Sequence, residues 1–565
     1  MKAIKYIFMI CCTVLGASSC DYLDQHPYEY WQPEETFIDY DKTIQMLNSV
    51  YISMPNWSKN DYGAFLDAST DDAAYVDPSN SMYKLGQGFV TEISPIENQW
   101  ASLYSGIRRT LYFEQYIPLL QNNAGWTDAQ VNTYKDLAVA ESKSVRALYY
   151  FELIKRYGGV PLVQKTYTLD DNEITTLPRN NFADCVEYIV NLCNEAIEVF
   201  DRNNYKMNLY RGFGYLSSSA CPMAIKAKTL TYAASPLFNN VQNPLLGYTD
   251  SNVTERWKKA AKALKAVMDL DPAKLKLYSS YEKLFIVQPN QNTEYIVYTG
   301  SPKSYSMESA LYPPSLLGTG GTCPSNNFVS AFEKKDGTPN TMDAPDRFTN
   351  MDPRFDVTVV YDGATLGARG KINISDPNSQ DAIGKVSLRS TVTGYYLRKF
   401  LDTNINLAAG SISNTYHYFP VIRLADIILL YAEAMNEVYG PNDPADLGMT
   451  AIDALQLVRT RAGITTKYTT TSQTEMTAKI RNERRIELSF EDQRYFDLRR
   501  WKTAETVLNQ PLMGFRIEKE EGNITSAREF VVDGQRKFYS KMLYAPIPYS
   551  EMQINGNLVQ NPGWR

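Results

Sequence analysis

The amino-acid sequence predicts a mainly α fold: tetratricopeptide-like helix pairs form an α superhelical scaffold, with an irregular α/β insertion and long loops. Three observations carry this expectation. Apolar residues recur at three- and four-residue steps over long stretches on both sides of the chain's middle, the mark of a helix with one buried stripe. Glycine and proline stop signals follow such stretches, as at Gly158, Gly159 and Pro161. Between residues 271 and 418, by contrast, Gly, Pro, Asn and Thr accumulate, and short β-rich pieces such as EYIVYT at 294–299 and RFDVTVVY at 354–361 stand between turns. No clean 34-residue repeat is visible, so the helix pairs are irregular ones.

Taken in order, residues 1–19 have the form of an export signal. Lys2 and Lys5 give a positive start, and residues 7–15 an apolar run too short for a spanning anchor. Ala17, Ser18 and Ser19 then precede Cys20, in the manner of a bacterial lipobox, so Cys20 is the expected lipid attachment. Acyl chains contribute about 0.8 kcal/mol per buried CH₂, enough when several are present to hold a protein on a membrane. Residues 20–33 are polar and proline-marked and are expected to be a tether.

An N-terminal helical scaffold is expected over 34–270. It opens with the stripe Phe37, Tyr40, Ile44, Leu47 and Tyr51 within 35–53. Residues 54–95 lose that period and form a long, ligand-facing loop, since loops of that length in a compact protein are usually functional. Helices follow at 97–121, 127–157, 181–201, 222–236 and 253–269, with Ala140, Ser144 and Ala147 leaving room for a close helix crossing. The insertion occupies 271–418. Helical pattern returns at 421–439, 447–462 and 473–508, inside a C-terminal segment, 419–565, whose Pro- and Asn-rich tail is expected to be extended and packed on the scaffold.

Composition narrows the function. A net charge of −6 lacks the basic face a nucleic-acid binder needs, so no nucleic-acid partner is expected. Cys185, Cys193, Cys221 and Cys323 form no CxxC pair, and with only His26 and His417 present, histidine triads and multi-histidine metal sites are nearly excluded. Neither cofactor nor metal is expected. Instead there are 41 tyrosines, 7 tryptophans and 22 phenylalanines. Flat rings with hydroxyl edges suit carbohydrate or peptide ligands.

Four stretches carry a resemblance. They are AESKSVRALYYFELIKRYGGVPLV at 140–163, YFPVIRLADIILLYAEAMNEV at 418–438, IRNERRIELSFEDQRYFDLRRW at 480–501 and APIPYSEMQINGNLVQNPGW at 545–564. Together with the lipobox they resemble the SusD/RagB family of nutrient-binding outer-membrane lipoproteins. The resemblance implies a surface-exposed, lipid-anchored protein that captures oligosaccharides without catalysis and delivers them to a SusC-like TonB-dependent transporter. It also implies that the ligand face is built by the loop after the first helix and by the insertion. The 480–501 signature itself reads as scaffold. On a helix, Arg484 with Glu487, Glu491 with Arg494 and Arg494 with Asp497 lie three apart, a pattern of opposite charges on adjacent turns.

No motif carries the ligand contacts, so they are chosen by composition. The first region offers the rings Trp57, Tyr75 and Tyr83, with Tyr62 beside them, and the acceptors Asp67, Asp71, Asp72 and Asn80. The second offers Tyr298, Tyr305 and Tyr312, with Tyr395 or Tyr396 and Asn327 from the same insertion, whereas Trp100 reads as core. One sugar face on one ring hides on the order of 100 Å², roughly 2.5 kcal/mol, so binding of micromolar to millimolar strength is expected once ligand ordering is subtracted. Three other functions stay open: peptide binding, glycoside hydrolysis by a pair such as Glu487 and Glu491, and a helical-repeat scaffold for other proteins. Asp71 with Asp72, and Asp343 with Asp346, read as solvated acidic turns rather than Ca²⁺ loops.

Overall fold

The longest helix begins where the sequence can satisfy its first backbone N–H groups. Thr127 Oγ1 accepts from the Gln130 N–H while Gln130 Oε1 accepts from the Thr127 N–H, a reciprocal cap. The helix ends at Gly158, whose φ of +76° favours glycine, and a Cβ there would lie 2.5 Å from the Leu245 carbonyl oxygen. This computed structural model describes residues 32–56, 64–121, 125–168, 170–300, 302–341 and 347–565. The expected export signal, Cys20, nearly all of the tether, Trp57, Tyr62, Asp343 and Asp346 lie outside the described residues.

The helices that build the scaffold are α1 (Tyr40–Ser49), α2 (Trp100–Tyr116), α3 (Asp128–Tyr157), α4 (Phe182–Arg202), α5 (Ala220–Ala234), α6 (Val253–Met268), α7 (Leu424–Tyr439), α8 (Ala451–Arg461), α9 (Gln473–Glu487) and α10 (Gln493–Arg500). From α2 to α8 each packs on the one before, and α7 takes its place on α6 although 155 residues separate them in the chain. The insertion therefore interrupts one continuous stack. Among the described residues a single large apolar core runs through stack and insertion together, with one small satellite around Leu137, Ala140, Ala196 and Phe200.

The strands are β1 (Ala73–Tyr75), β2 (Tyr295–Gly300), β3 (Thr322–Pro324), β4 (Val359–Val360), β5 (Tyr396–Leu397), β6 (Tyr418–Arg423), β7 (Leu512–Glu520) and β8 (Asn523–Asp533). They pair only in antiparallel twos: β1 with β3, β2 with β6, β4 with β5 and β7 with β8. The first pair ties the 54–95 segment to the insertion, and the second joins the insertion's beginning to its end.

Four expectations change. Residues 54–95 are not wholly irregular, since they hold β1 and a short helix, Ser81–Gly86, capped by Asn80. The β-rich piece at 354–361 starts as a helical turn, Arg354–Thr358, before β4. The helix expected over 473–508 breaks after Glu487, because Phe490 and Asp492 take φ of +60° and +59°. The tail is not simply extended, since β7 and β8 form a hairpin within it.

That break also changes the partners of the signature charges. Glu487 accepts from Arg354, Arg423 and Arg461, and Glu491 from Arg423 and Lys399. Arg484 pairs with Asp426 and Asp497, and Arg500 with Asp497 and Glu433. Of the pairs expected three residues apart, none forms; the network instead crosses between elements, locking the insertion and the C-terminal helices to the scaffold. These groups are all buried, so each charge depends on its partners.

Candidate functional site

The fold sorts the sequence-derived candidates into two sets. Most of the acids and several of the rings point inward. Asp71 is clamped by Arg485 at 2.8 Å and Arg494 at 3.0 Å, and Asp72 by Arg485 at 2.6 Å. Burial alone would raise Asp71, but the two guanidinium groups outweigh it and hold its carboxyl at about 2. Asp67 is buried, accepts from the Phe490 N–H and is pushed well above the carboxylate range by burial, then by Asp72 and Asp492. These three acids anchor the loop to α9, the break and α10, and they are corrected here from ligand acceptors to structural anchors.

The rings divide likewise. Tyr312 and Tyr395 are buried, the first donating to the Asp402 and Ile405 carbonyls and the second to Asn326 Oδ1. Tyr396 donates to the Asp381 carbonyl, and Tyr75 is buried within β1 opposite Thr322. With neither face free, these rings are corrected to core. Asn327 is held against the Pro511 carbonyl and the Met513 N–H. Tyr83 is half-buried on the helix Ser81–Gly86 near Asp533 and Arg536. Trp100 is buried edge-on against Tyr157.

Tyr298 and Tyr305 stand apart from these: Tyr298 is half-buried on β2, and Tyr305 is exposed on the segment that follows it. Just before and at the start of β6, the Tyr416 and Tyr418 rings stack while His417 between them turns inward to Glu308 at 3.0 Å. Tyr298 meets Tyr418 edge-on at 6.1 Å, and Tyr416 stacks beside Tyr418 at 5.9 Å and 29°. Tyr295 stacks behind Tyr298 at 5.1 Å. Opposite Tyr418 sits Gly300, where a Cβ would come within 3.0 Å of the tyrosine ring. Glycine there lets the ring lie across the strand.

The edge of this face is polar. Lys303 Nζ lies 5.0 Å from the Tyr416 ring, and a bridge between Ser304 and Thr415 carries Tyr305, 39% exposed, to its margin. Thr299 Oγ1 donates to the Pro55 carbonyl at 2.8 Å, which brings the 54–56 segment alongside. Burial raises the Tyr298 and Tyr418 phenols, so at neutral pH both are uncharged hydroxyls. Tyr418 is only 8% exposed and the Tyr298 hydroxyl is buried, so the face offers the half-buried rings of Tyr298 and Tyr416 with Tyr305 and the exposed Lys303 at its edge. Tyr416 and Tyr418 were missed from sequence, although their alternation around an apolar strand was the available signal. Among the described residues no group of three His, Cys, Asp or Glu is placed to hold a metal ion.

Comparison with known proteins adds the following. A family model described as the SusD family matches residues 284–564, and another, described as starch-binding associating with outer membrane, matches residues 21–215. No curated protein matches the chain. Among solved structures, the fold is similar to a SusD-like protein from Bacteroides fragilis, at 22% identity over 94% of this chain and 98% of that one, with a TM-score of 0.75. It is also similar to a SusD-like carbohydrate binding protein from the same organism, at 22% identity, 93% and 100% coverage and a TM-score of 0.74. A laminarin binding SusD-like protein matches at 20% identity, 93% and 100% coverage and a TM-score of 0.63. At these identities the likeness is one of fold.

Proposed function

The chain belongs to the SusD family, and from that premise we propose that it is a cell-surface carbohydrate-binding lipoprotein that captures oligosaccharides and passes them, chemically unaltered, to a SusC-like TonB-dependent transporter. The observation that carries the ligand class is the pair of half-buried rings Tyr298 and Tyr416, backed by the buried Tyr418, with Tyr305 and Lys303 at the edge. Sugar C–H faces stack on such rings, while their hydroxyls find phenols and an ammonium group as partners. Two rings engaged at once contribute about 5 kcal/mol of apolar burial, from which the ordering of a flexible glycan subtracts several. Weak, reversible capture suits a receptor that must release its cargo.

Binding without turnover is supported by the state of the acids. Glycoside hydrolysis needs two carboxyls about 5–9.5 Å apart across an open cleft, one of them protonated. Glu487 is buried and, although burial would raise it, Arg461, Arg423 and Arg354 hold it far below the ordinary carboxylate range, which suits a structural anion and not a proton donor. The family model that describes outer-membrane association supports the same location here, with Cys20 as the proposed lipid attachment. Among the described residues no helix is long and apolar enough to cross a membrane.

The test is a binding screen of the purified protein against neutral glycan oligosaccharides and, in parallel, a peptide digest, with mass spectrometry of everything recovered. Retention of one glycan class at micromolar to millimolar strength, recovered intact, is the expected result. Retention of peptides alone would replace the ligand class, and shortened glycans would establish an enzyme.

A further inference from the structure

The helical half of the molecule holds a second aromatic cleft, open to solvent, that the tyrosine face does not use. Its volume is about 730 Å³, within the roughly 300–1,000 Å³ typical of small-ligand pockets. The walls come from α1, the first turns of α3 with Trp126 just before them, and the segment linking α4 to α5. Tyr40, Trp126 and Tyr134 hold one another in place on one side, with centroids 4.9 Å apart for Tyr40 and Trp126 and 5.5 Å for Trp126 and Tyr134. Tyr205 and Tyr210, 5.9 Å apart, form the other, and Tyr134 reaches Tyr210 at 6.2 Å between them. Rings braced in this way are already ordered before any ligand arrives, which lowers the entropy cost of binding.

The charge inventory selects the ligand. Among the described residues that line it Arg211 is the one that carries a charge, and it is already neutralised: its guanidinium donates to the buried Glu141 and to Asn48 and lies 4.0 Å over the Tyr215 ring. The Tyr51 and Tyr210 hydroxyls donate to the same Glu141 carboxylate, so three protein donors already share its two oxygens. An ionic ligand would therefore find no free counter-charge. What remains open is neutral and polar. Thr133 Oγ1 donates to the Ala129 carbonyl and keeps its acceptor lone pairs, and Gln130 keeps its amide N–H donors after capping α3. The Tyr134 hydroxyl, on a residue only 7% exposed, completes no hydrogen bond of sound geometry, although the Tyr40 phenol is near enough to perturb it.

Aromatic walls, neutral donors and acceptors and a cancelled charge describe a receptor for an uncharged, hydroxyl-bearing ring. We infer that this cleft is a second binding site for a neutral saccharide, separate from the tyrosine face, so that each molecule carries two. The inference rests on the carbohydrate reading of the family fold above. The two sites share a wall: Tyr215 lines the cleft while the Gly214 backbone lies against the Tyr298 phenol. A glycan long enough to reach across that wall engages both sites and gains avidity, whereas short fragments fill them independently.

The experiment is calorimetric titration of the purified protein with short neutral oligosaccharides drawn from starch, laminarin, xylan and mannan. Two sites per chain are expected for the member that binds. Trp126→Ala weakens one of them at least about tenfold and leaves the other, while Tyr416→Ala does the reverse. Thr133→Trp, which fills the mouth from an exposed helix position and disturbs no packed residue, gives the same loss as Trp126→Ala even if the latter destabilises the fold. One site per chain, insensitive to both Trp126→Ala and Thr133→Trp, overturns the second site and leaves the function proposed above intact. Failure of every saccharide to bind overturns both.

Discussion

At the scale of the residue, exposure and not residue type separates the surface rings from the scaffold ones. Tyr312 and Tyr416 are the same amino acid in the same insertion, yet one is buried with its hydroxyl on two backbone carbonyls and the other is half-buried at the surface beside Lys303. Tyr416→Ala should therefore weaken glycan affinity roughly tenfold with little change in melting temperature, measured by calorimetric titration and thermal unfolding. Tyr312→Phe should do the opposite, lowering stability by about 1 kcal/mol in denaturant titrations while affinity stays unchanged. The abundance of tyrosine in the sequence named the chemistry of the surface but could not say which rings reach it. Asp71 illustrates why, since the arginines that claim it are more than 400 positions away in the chain. Short-range spacing holds no trace of such a partner.

At the scale of the element, helices were legible wherever a stripe and a stop signal coincided. The span expected at 127–157 and the observed Asp128–Tyr157 differ by one residue, because Thr127 and Gly158 are local devices. Gly158→Ala should lower stability by about 1–3 kcal/mol, since alanine meets both an unfavourable φ and the Leu245 carbonyl. The break between α9 and α10 was illegible for the complementary reason. Its residues include no glycine or proline to mark a stop, and the chain turns there to serve Arg423, whose guanidinium binds Glu294, Glu487 and Glu491. Arg423→Met leaves three buried carboxylates short of a cation, and a loss of about 3–5 kcal/mol is expected by chemical denaturation. The small β2–β6 pair was half legible: EYIVYT announced a strand, but its partner and the ring face they share depended on contact across the whole insertion.

At the scale of the whole molecule, one helical stack is interrupted by an insertion and then resumed, and ion pairs join the two. Asp71 makes one such link between the 54–95 segment and the C-terminal helices. Its folded-state value of about 2 lies below that of an unfolded aspartate, so its contribution is complete above about pH 4 and disappears as pH falls through 2. Stability should thus decline less steeply between about pH 4 and 2 in Asp71→Asn than in the parent, as followed by urea titrations at each pH. Above pH 5 the two slopes should coincide. The framework that this link helps to hold also positions the tyrosines around β2 and β6. The most direct measurement is calorimetric titration of a panel of neutral oligosaccharides into the parent protein and into Tyr298→Ala/Tyr416→Ala, with the sugar analysed afterwards. The parent should bind one glycan class, the double variant should lose it, and the sugar should be recovered unshortened. Equal binding by both proteins would remove the tyrosine face as the site, and a cleaved sugar would establish an enzyme.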